Sequence, residues 1–423
     1  MTTDTGSASG QLDDAGQPAA LVAVPVTGVS TDAGVTAPKG FRAAGIAAGI
    51  KDSGSADIAL VVNDGPQQDA AGVFTRNVVK AAPVLWSQQV MTNRKLRAVV
   101  LNSGGANAAT GPEGFQDTHA TAEKVAEVLS EQGGEVGAIE VAVCSTGLIG
   151  ERLPMPKLLA GVATAAGALA ATPQAGRNAA TAVMTTDSRP KQASAAHPAG
   201  WQIGGFAKGA GMLAPNMATM LSVITTDAVL NGEALDTMLR EAVKRTFDRL
   251  DVDGGTSTND TVLLLSSGAS GITPDIDEFT SLLADVSLSL VRQLQADAEG
   301  ATKLVDIKVT GAASKADAVR VGRTVAEDNL VKTALFGSDP NWGRVAMAVG
   351  RSDARLDPAK LAITMNGVTL LDAGAPAEDR AAADLSGPRI EIEIALGAGD
   401  HQATVYSTDL SHGYVEENSA YSS

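Results

Sequence analysis

The stretch Lys208-Gly-Ala-Gly-Met-Leu-Ala-Pro-Asn-Met-Ala-Thr-Met-Leu-Ser-Val-Ile-Thr-Thr-Asp227, near the middle of the 423-residue chain, constrains the fold most strongly. Gly209, Gly211 and Pro215 punctuate a segment in which a helix would be poorly tolerated. After Thr219 the run Leu221-Ser-Val-Ile-Thr-Thr226 is rich in β-branched residues that pack well in a sheet. The spacing therefore predicts a loop that feeds a strand, with Thr219 at the junction. A chain that cuts its own peptide bond and uses the freed threonine as nucleophile, with its α-amine as base, needs this arrangement. A structural threonine fits the local pattern too, and only context separates the two.

Composition narrows the chemistry. With 44% apolar and 19% charged residues the chain has the balance of a soluble enzyme, and its length allows two or three domains. A net charge of −16 opposes binding to nucleic acid, which needs clustered Lys and Arg to replace counterions. Small-molecule chemistry is expected instead. The N-terminal residues are acidic and polar where a signal peptide would be basic and then apolar, so a cytoplasmic location is expected. The most membrane-like run, Leu158 to Ala171, is shorter than the roughly 20 apolar residues a bilayer requires and reads as a buried helix. The one cysteine, Cys144, excludes an intrachain disulfide and reads as a small buried hydrophobe at the end of an apolar alternating run. His119, His197, His401 and His412 never fall at metal-ligand spacing, so no metal and no cofactor is expected.

Residues 1 to about 20 have little to bury and read as a disordered tail, with the ordered chain starting around Leu21-Val-Ala-Val-Pro-Val26. Strands are predicted at Ile58 to Val62, Ala71 to Phe74, Leu96 to Leu101 and Ile139 to Cys144, each bounded by turn-forming residues or a helix. An amphipathic helix carries Ala122, Val125, Ala126 and Leu129. Ser145-Thr-Gly-Leu-Ile-Gly150 is a plain turn on its own sequence, although a hydroxyl and a backbone N–H at a strand end can also converge on a developing negative charge. Residues 154 to 184 read as helical, Met184 to Asp187 as a short strand or strand end, Asp187 to Pro198 as an exposed loop, and Trp201 to Ala207 as a strand. Further on, helices are predicted at Ala234 to Leu250, at Ile276 to the Glu299-Gly300 pair, and at Lys315 to about Leu335. Glu299 lies off the apolar stripe and reads as a solvated terminal acid. Strands follow at Val262 to Leu265, Lys303 to Thr310 and Ile390 to Ile394, the last alternating strictly. The elements add up to an α/β protein with mixed β-sheets layered with helices, and the break between halves is expected near Thr219.

Seven blocks in a fixed order resemble the ornithine acetyltransferase family, the glutamate N-acetyltransferases of cyclic arginine biosynthesis. They are Thr75-Arg-Asn-Val-Val-Lys80, Leu101-Asn-Ser-Gly-Gly-Ala-Asn-Ala108, Ser145 to Gly150, Lys208 to Asp227, Thr256-Ser-Thr-Asn-Asp-Thr261, Phe336-Gly-Ser-Asp-Pro-Asn-Trp-Gly-Arg344 and Glu417-Asn-Ser-Ala-Tyr-Ser-Ser423. The resemblance covers nearly everything after residue 30. Leu213 departs from it, standing where the family often has methionine or a similar residue, a conservative change.

The resemblance implies a sandwich fold shared with self-processing aminopeptidases. It also implies a precursor that cleaves itself between Ala218 and Thr219 into an α chain, 21–218 after the tail, and a β chain, 219–423. Thr219 would take the acetyl group of N2-acetyl-L-ornithine, release L-ornithine and pass the acetyl to L-glutamate in a ping-pong cycle. By matching positions, Thr146 and the Gly147 N–H would form the oxyanion hole, and Thr185, Lys208, Thr219, Glu299, Asn418 and Ser423 would line the substrate pocket. Lys208 would pair with the substrate α-carboxylate and Glu299 with the distal ammonium of ornithine. The resemblance implies two α and two β chains and leaves open whether acetyl-CoA is also a donor. The rival readings are a self-processing amidase or aminopeptidase that hydrolyses its acyl-enzyme, and a non-enzymatic binding protein with an intact chain. No nucleic-acid or membrane partner is expected.

Overall fold

The computed structural model describes residues 20–214 and 220–420. The expectations for Ala218, Thr219, Ser423 and the tail up to residue 19 lie outside the described residues. The described chain divides into two compact units, one from Val24–Asp248 with Gly255–Leu294, the other from 20–23, Arg249–Gly254 and 295–420.

The first unit is built on two sheets. One has the order β1 (Phe41–Ile46), β2 (Ile58–Asn63), β4 (Ala98–Asn102) and β5 (Val141–Ser145), with the β4–β5 pair parallel and the others antiparallel. The other has the order β3 (Asp69–Phe74), β9 (Thr261–Ser266), β8 (Leu221–Thr226), β7 (Gln202–Lys208) and β6 (Lys191–Ala196), with β8–β9 its parallel pair. Strands β2, β4, β5, β8 and β9 are buried along their whole length, which is why their sequences run apolar without alternation. Leu60, Val99 and Val143 of one sheet share a core with Phe206, Val223 and Leu263 of the other. Helices α1 (Ala82–Val90), α2 (Gly111–Gln132), α3 (Met155–Gly167) and α4 (Pro173–Ala182) pack on the four-stranded sheet. Helix α5 (Gly232–Arg245) packs on β3, and α6 (Ile276–Ala296) meets the five-stranded sheet through the Trp201–Phe279 ring contact at 5.3 Å and the Gln192–Gln293 hydrogen bonds. The result is the expected layering of mixed sheets with helices.

The second unit holds one six-stranded sheet, in the order β13 (Ala375–Pro376), β12 (Val368–Asp372), β11 (Ala362–Met365), β14 (Arg389–Ala395), β10 (Leu304–Ala312) and β15 (His401–Thr408). Its β14 alternates exposed and buried positions as its sequence predicted. Helices α7 (Lys315–Ala326), α8 (Asn329–Phe336), α9 (Trp342–Gly350) and α10 (His412–Ala420) complete it. Among the described residues no helix is long and apolar enough to cross a membrane.

Several expectations needed correction, each for a local reason. The first strand is Phe41–Ile46, a segment with no apolar run to mark it and not among the predicted strands. The helix expected over 154 to 184 is two, because Pro173 begins a new helix behind Thr172, whose side chain accepts the Ala175 N–H. The helix expected over Lys315 to Leu335 is likewise broken where Asp328 caps α8 through the Leu330 and Val331 N–H groups. Helix α6 ends at Ala296, not at Glu299. Met184 to Asp187 form no strand, and the supposed loop from Asp187 contains β6, whose residues are almost all buried. The units do not divide at residue 219, since β7 and β8 are neighbours in one sheet.

Close packing makes one glycine in this fold sensitive. A Cβ on Gly45 in β1 would lie 2.0 Å from the Asn178 carbonyl oxygen on α4 and 2.7 Å from the Ala179 nitrogen, both main-chain atoms that cannot swing aside. Gly45→Ala is therefore expected to destabilise the protein by about 1–3 kcal/mol, measured as a lower denaturant midpoint with unchanged slope. A variant as stable as the wild type would show that α4 is not seated this closely.

Candidate active site

The buried end of β7 begins the site. Lys208, 2% exposed, donates from Nζ to Thr185 Oγ1 at 2.7 Å and to Thr146 Oγ1 at 3.3 Å. A lysine ammonium can only donate, so both hydroxyls accept from it and keep their own protons for another acceptor. Thr146 follows β5 directly, and its N–H is held by the Asn102 carbonyl at the end of β4. Gly147 has φ +127°, and a Cβ there would lie 2.7 Å from the Gly105 nitrogen, so the turn admits no side chain. No hydrogen bond among the described residues engages the Gly147 N–H. Three of the residues named from the resemblance, Thr146, Thr185 and Lys208, thus form one hydrogen-bonded cluster, with Gly147 adjoining it.

Sequence reasoning missed the residue that organises this cluster. Asp187 Oδ1 accepts Lys191 Nζ at 2.5 Å and the Gly209 N–H at 2.6 Å, Oδ2 accepts the Thr185 N–H at 3.0 Å, and Lys208 Nζ is 3.8 Å away. Burial by itself would raise this carboxyl, but Lys191, Lys208 and the hydrogen bonds outweigh it and hold Asp187 well below the ordinary carboxylate range. Lys51 braces the same turn by donating to the Met184 carbonyl at 2.7 Å, and burial lowers its pKa. An acid four residues before a lysine is common on any surface, so no sequence signal distinguished Asp187; only burial does.

The other omission is Asn259. Its Nδ2 donates to the carbonyls of Ala106 at 2.7 Å and Ser145 at 2.8 Å, tying the block Thr256 to Thr261 to the turns on both sides of Gly147. The same block receives Thr75 Oγ1 on the Ser257 carbonyl at 2.7 Å and Asn77 Nδ2 on the Thr256 carbonyl at 2.9 Å. Cys144 is buried, and desolvation pushes its thiol up to about 12, so it is inert, as its sequence suggested.

In the second unit, Asn418 on α10 donates to Glu299 Oε2 at 3.0 Å. Glu299 is therefore no plain solvated acid. Gly300 beside it has φ +61°, and a Cβ would sit 2.0 Å from the Tyr414 nitrogen, so only glycine lets α10 approach. Burial raises Glu417, with Glu299 adding to the effect, which marks this end of the helix as electronegative. The structure thus brings Glu299 and Asn418 together within their own unit. Thr219 and Ser423, which would complete the set, lie outside the described residues.

Removing Asp187 leaves buried lysines without their common carboxylate. Asp187→Ala is expected to cost about 3–5 kcal/mol of stability at neutral pH. Because the folded pKa is depressed, this contribution is complete above the ordinary carboxylate range and fades as pH falls below it toward the folded value. Urea unfolding of both proteins from pH 7 down to pH 3 checks this; a gap between them that stays below about 1 kcal/mol at pH 7 would refute it.

Comparison with known proteins identifies the family. The model of the ArgJ family matches residues 42–423. The arginine biosynthesis bifunctional protein ArgJ of Mycolicibacterium paratuberculosis is 63% identical over 390 residues, covering 92% of this chain and 96% of that one. Its namesake in Streptomyces coelicolor is 58% identical over 389 residues, covering 92% and 100%. A crystal structure of ornithine acetyltransferase from Mycobacterium tuberculosis complexed with ornithine is 64% identical, covering 46% of this chain and 98% of that one, with a TM-score of 0.44. With a family match over most of its length and curated relatives above half identity, the chain belongs to the ArgJ family.

Proposed function

We propose that this protein is the acetyltransferase of arginine biosynthesis that moves the acetyl group of N2-acetyl-L-ornithine to L-glutamate, giving L-ornithine and N-acetyl-L-glutamate. The observation that carries the reading is the buried Lys208 ammonium on the hydroxyls of Thr146 and Thr185, in a chain of the ArgJ family. It joins a cation suited to a substrate carboxylate with the hydroxyl assigned to the oxyanion hole.

Maturation comes first. In the precursor the Thr219 hydroxyl oxygen attacks the carbonyl carbon of Ala218. The C–N bond breaks, the nitrogen takes the proton that the hydroxyl loses, and an ester remains. Water hydrolyses that ester to the Ala218 carboxylate and a free Thr219, leaving the α chain (to residue 218) and the β chain (219–423). In turnover the same hydroxyl attacks the acetyl carbonyl of acetylornithine while the α-amine takes its proton. The oxygen that becomes negative is met by the Thr146 hydroxyl and the Gly147 N–H, a pairing worth about 3 kcal/mol per donor in comparable sites. Ornithine leaves with the proton, and the α-amino group of glutamate takes the acetyl from the ester.

Lys208 and Thr185 bind the carboxylate end of either amino acid. Glu299, with Asn418 on it, suits the distal ammonium of ornithine, and the negative potential around Glu417 favours the same cation. Ser423 completes the pocket by the resemblance. An assembly of two α and two β chains in the cytoplasm, and acetyl-CoA as a second donor, belong to the same proposal; the bifunctional name of the relatives supports the second donor.

The test uses purified protein. A denaturing gel is expected to show two bands whose masses sum to 42.7 kDa, and Thr219→Ala one uncut band without activity. Acetylornithine with glutamate is expected to give N-acetylglutamate, and acetyl-CoA with glutamate is run separately. Acetate release from acetylornithine in the absence of glutamate, at the rate of transfer, would establish the rival hydrolase. Acetyl transfer by Thr219→Ala would refute the assigned nucleophile.

A further inference from the structure

Segment 255–261 holds the chain on both sides of residues 215–219. On one side the Ala214 N–H donates to the Gly255 carbonyl at 3.1 Å, and Leu213 bridges Thr256. On the other the Met220 N–H donates to Asp260 Oδ1 at 3.0 Å, and the Thr261 N–H donates to the Met220 carbonyl at 3.1 Å. Asp260 is itself fixed, since its carbonyl accepts the Thr75 N–H at 2.9 Å at the end of β3. It is wholly buried, and its Oδ2 has no hydrogen-bond partner among the described residues. Besides the Met220 N–H, the Thr75 side chain and the Lys208 charge act on this carboxyl, yet burying it remains an expensive feature for a strand start that any backbone acceptor could serve. A local function explains its presence better than stability does.

We propose that Asp260 is a positioning residue for the chemistry assigned to Thr219, acting as the acceptor that fixes the amide of Met220, the next residue in the chain. This rests on the reading of Thr219 as the nucleophile. Met220 N is one peptide unit from Thr219, so what holds that N–H sets the direction in which the chain leaves the nucleophile. A misplacement of about 1 Å at a reacting group costs on the order of a hundredfold in rate. Desolvation raises the Asp260 carboxyl well above its ordinary value, against the lowering effects of the Met220 N–H, the Thr75 side chain and Lys208.

Asparagine keeps the acceptor and the size, whereas leucine keeps the volume and removes the acceptor. Freshly made Asp260→Asn precursor is expected to cleave, and the mature enzyme to transfer acetyl, within about threefold of wild type. Asp260→Leu is expected to lose on the order of a hundredfold in both rates. Ornithine affinity of whatever fraction matures, measured by calorimetry, is expected within twofold of wild type, because Lys208 and Thr185 are untouched. A purely structural role would instead lower affinity and the thermal midpoint together. Asp260→Leu cleaving at the wild-type rate would overturn the inference and leave the Thr219 reading standing. So would a folded Asp260→Asn that cleaves a hundredfold slower, which decides the matter even if the leucine variant does not fold. An uncut wild-type protein would overturn the Thr219 reading and this role with it.

Discussion

The site depends on one short segment, Thr256 to Thr261, that exchanges hydrogen bonds with five other parts of the chain. Asn259 alone reaches the Ala106 and Ser145 carbonyls, and its neighbours receive Thr75 and Asn77 and hold the chain at Leu213 and Met220. These partners come from both sheets of the first unit, and most of the bonds are buried. In a buried, low-dielectric setting such bonds are strong and their loss is costly, so the segment keeps the turn at Gly147 and the start of β8 in a fixed relation. If the proposed function holds, the Thr146 hydroxyl and the Gly147 N–H need to be placed before the reaction, and this brace would hold them.

Charge is handled by a separate device. Asp187 and Lys191, each almost fully buried, form an ion pair whose cost of desolvation is met by the Gly209 and Thr185 N–H groups as well as by each other. Replacement by apolar residues would serve stability equally well. What the pair adds is a buried carboxylate 3.8 Å from the Lys208 ammonium. Asp260 shows the opposite solution: with no cation hydrogen-bonded to it, burial raises its pKa well above the ordinary carboxylate value. Two aspartates in one unit are thus pushed in opposite directions by their surroundings, one toward a permanent charge and one away from it.

Much of the fold was legible. The fully buried strands at Ile58, Ala98, Leu221 and Thr261 announce themselves as apolar runs, and the amphipathic helices as stripes. The failures share a cause. Strand β6 begins Lys-Gln-Ala-Ser, and nothing in that composition reveals that Lys191 meets Asp187 and that Gln192 meets Gln293 from α6. The long helices over 154 to 184 and 315 to 335 were split by caps at Thr172 and Asp328 that a stripe of apolar residues conceals. Glu299 looked solvated because periodicity knows only its own helix, and its partner, Asn418, is 119 residues away.

The sequence by itself determined the class of protein: an acidic chain with one inert cysteine, mixed sheets under helices, and ordered blocks that resemble one family. It did so because apolar periodicity and turn residues act locally, over spans that a reader of the chain can see. Only the tertiary structure decided which polar residues become chemical groups. Burial and distance set the charge of Asp187, the raised pKa of Asp260, the hydroxyl orientation of Thr146 and Thr185, and the hydrogen bonds of Asn259. Most of those properties depend on residues far apart in the chain that the fold brings within a hydrogen bond of one another.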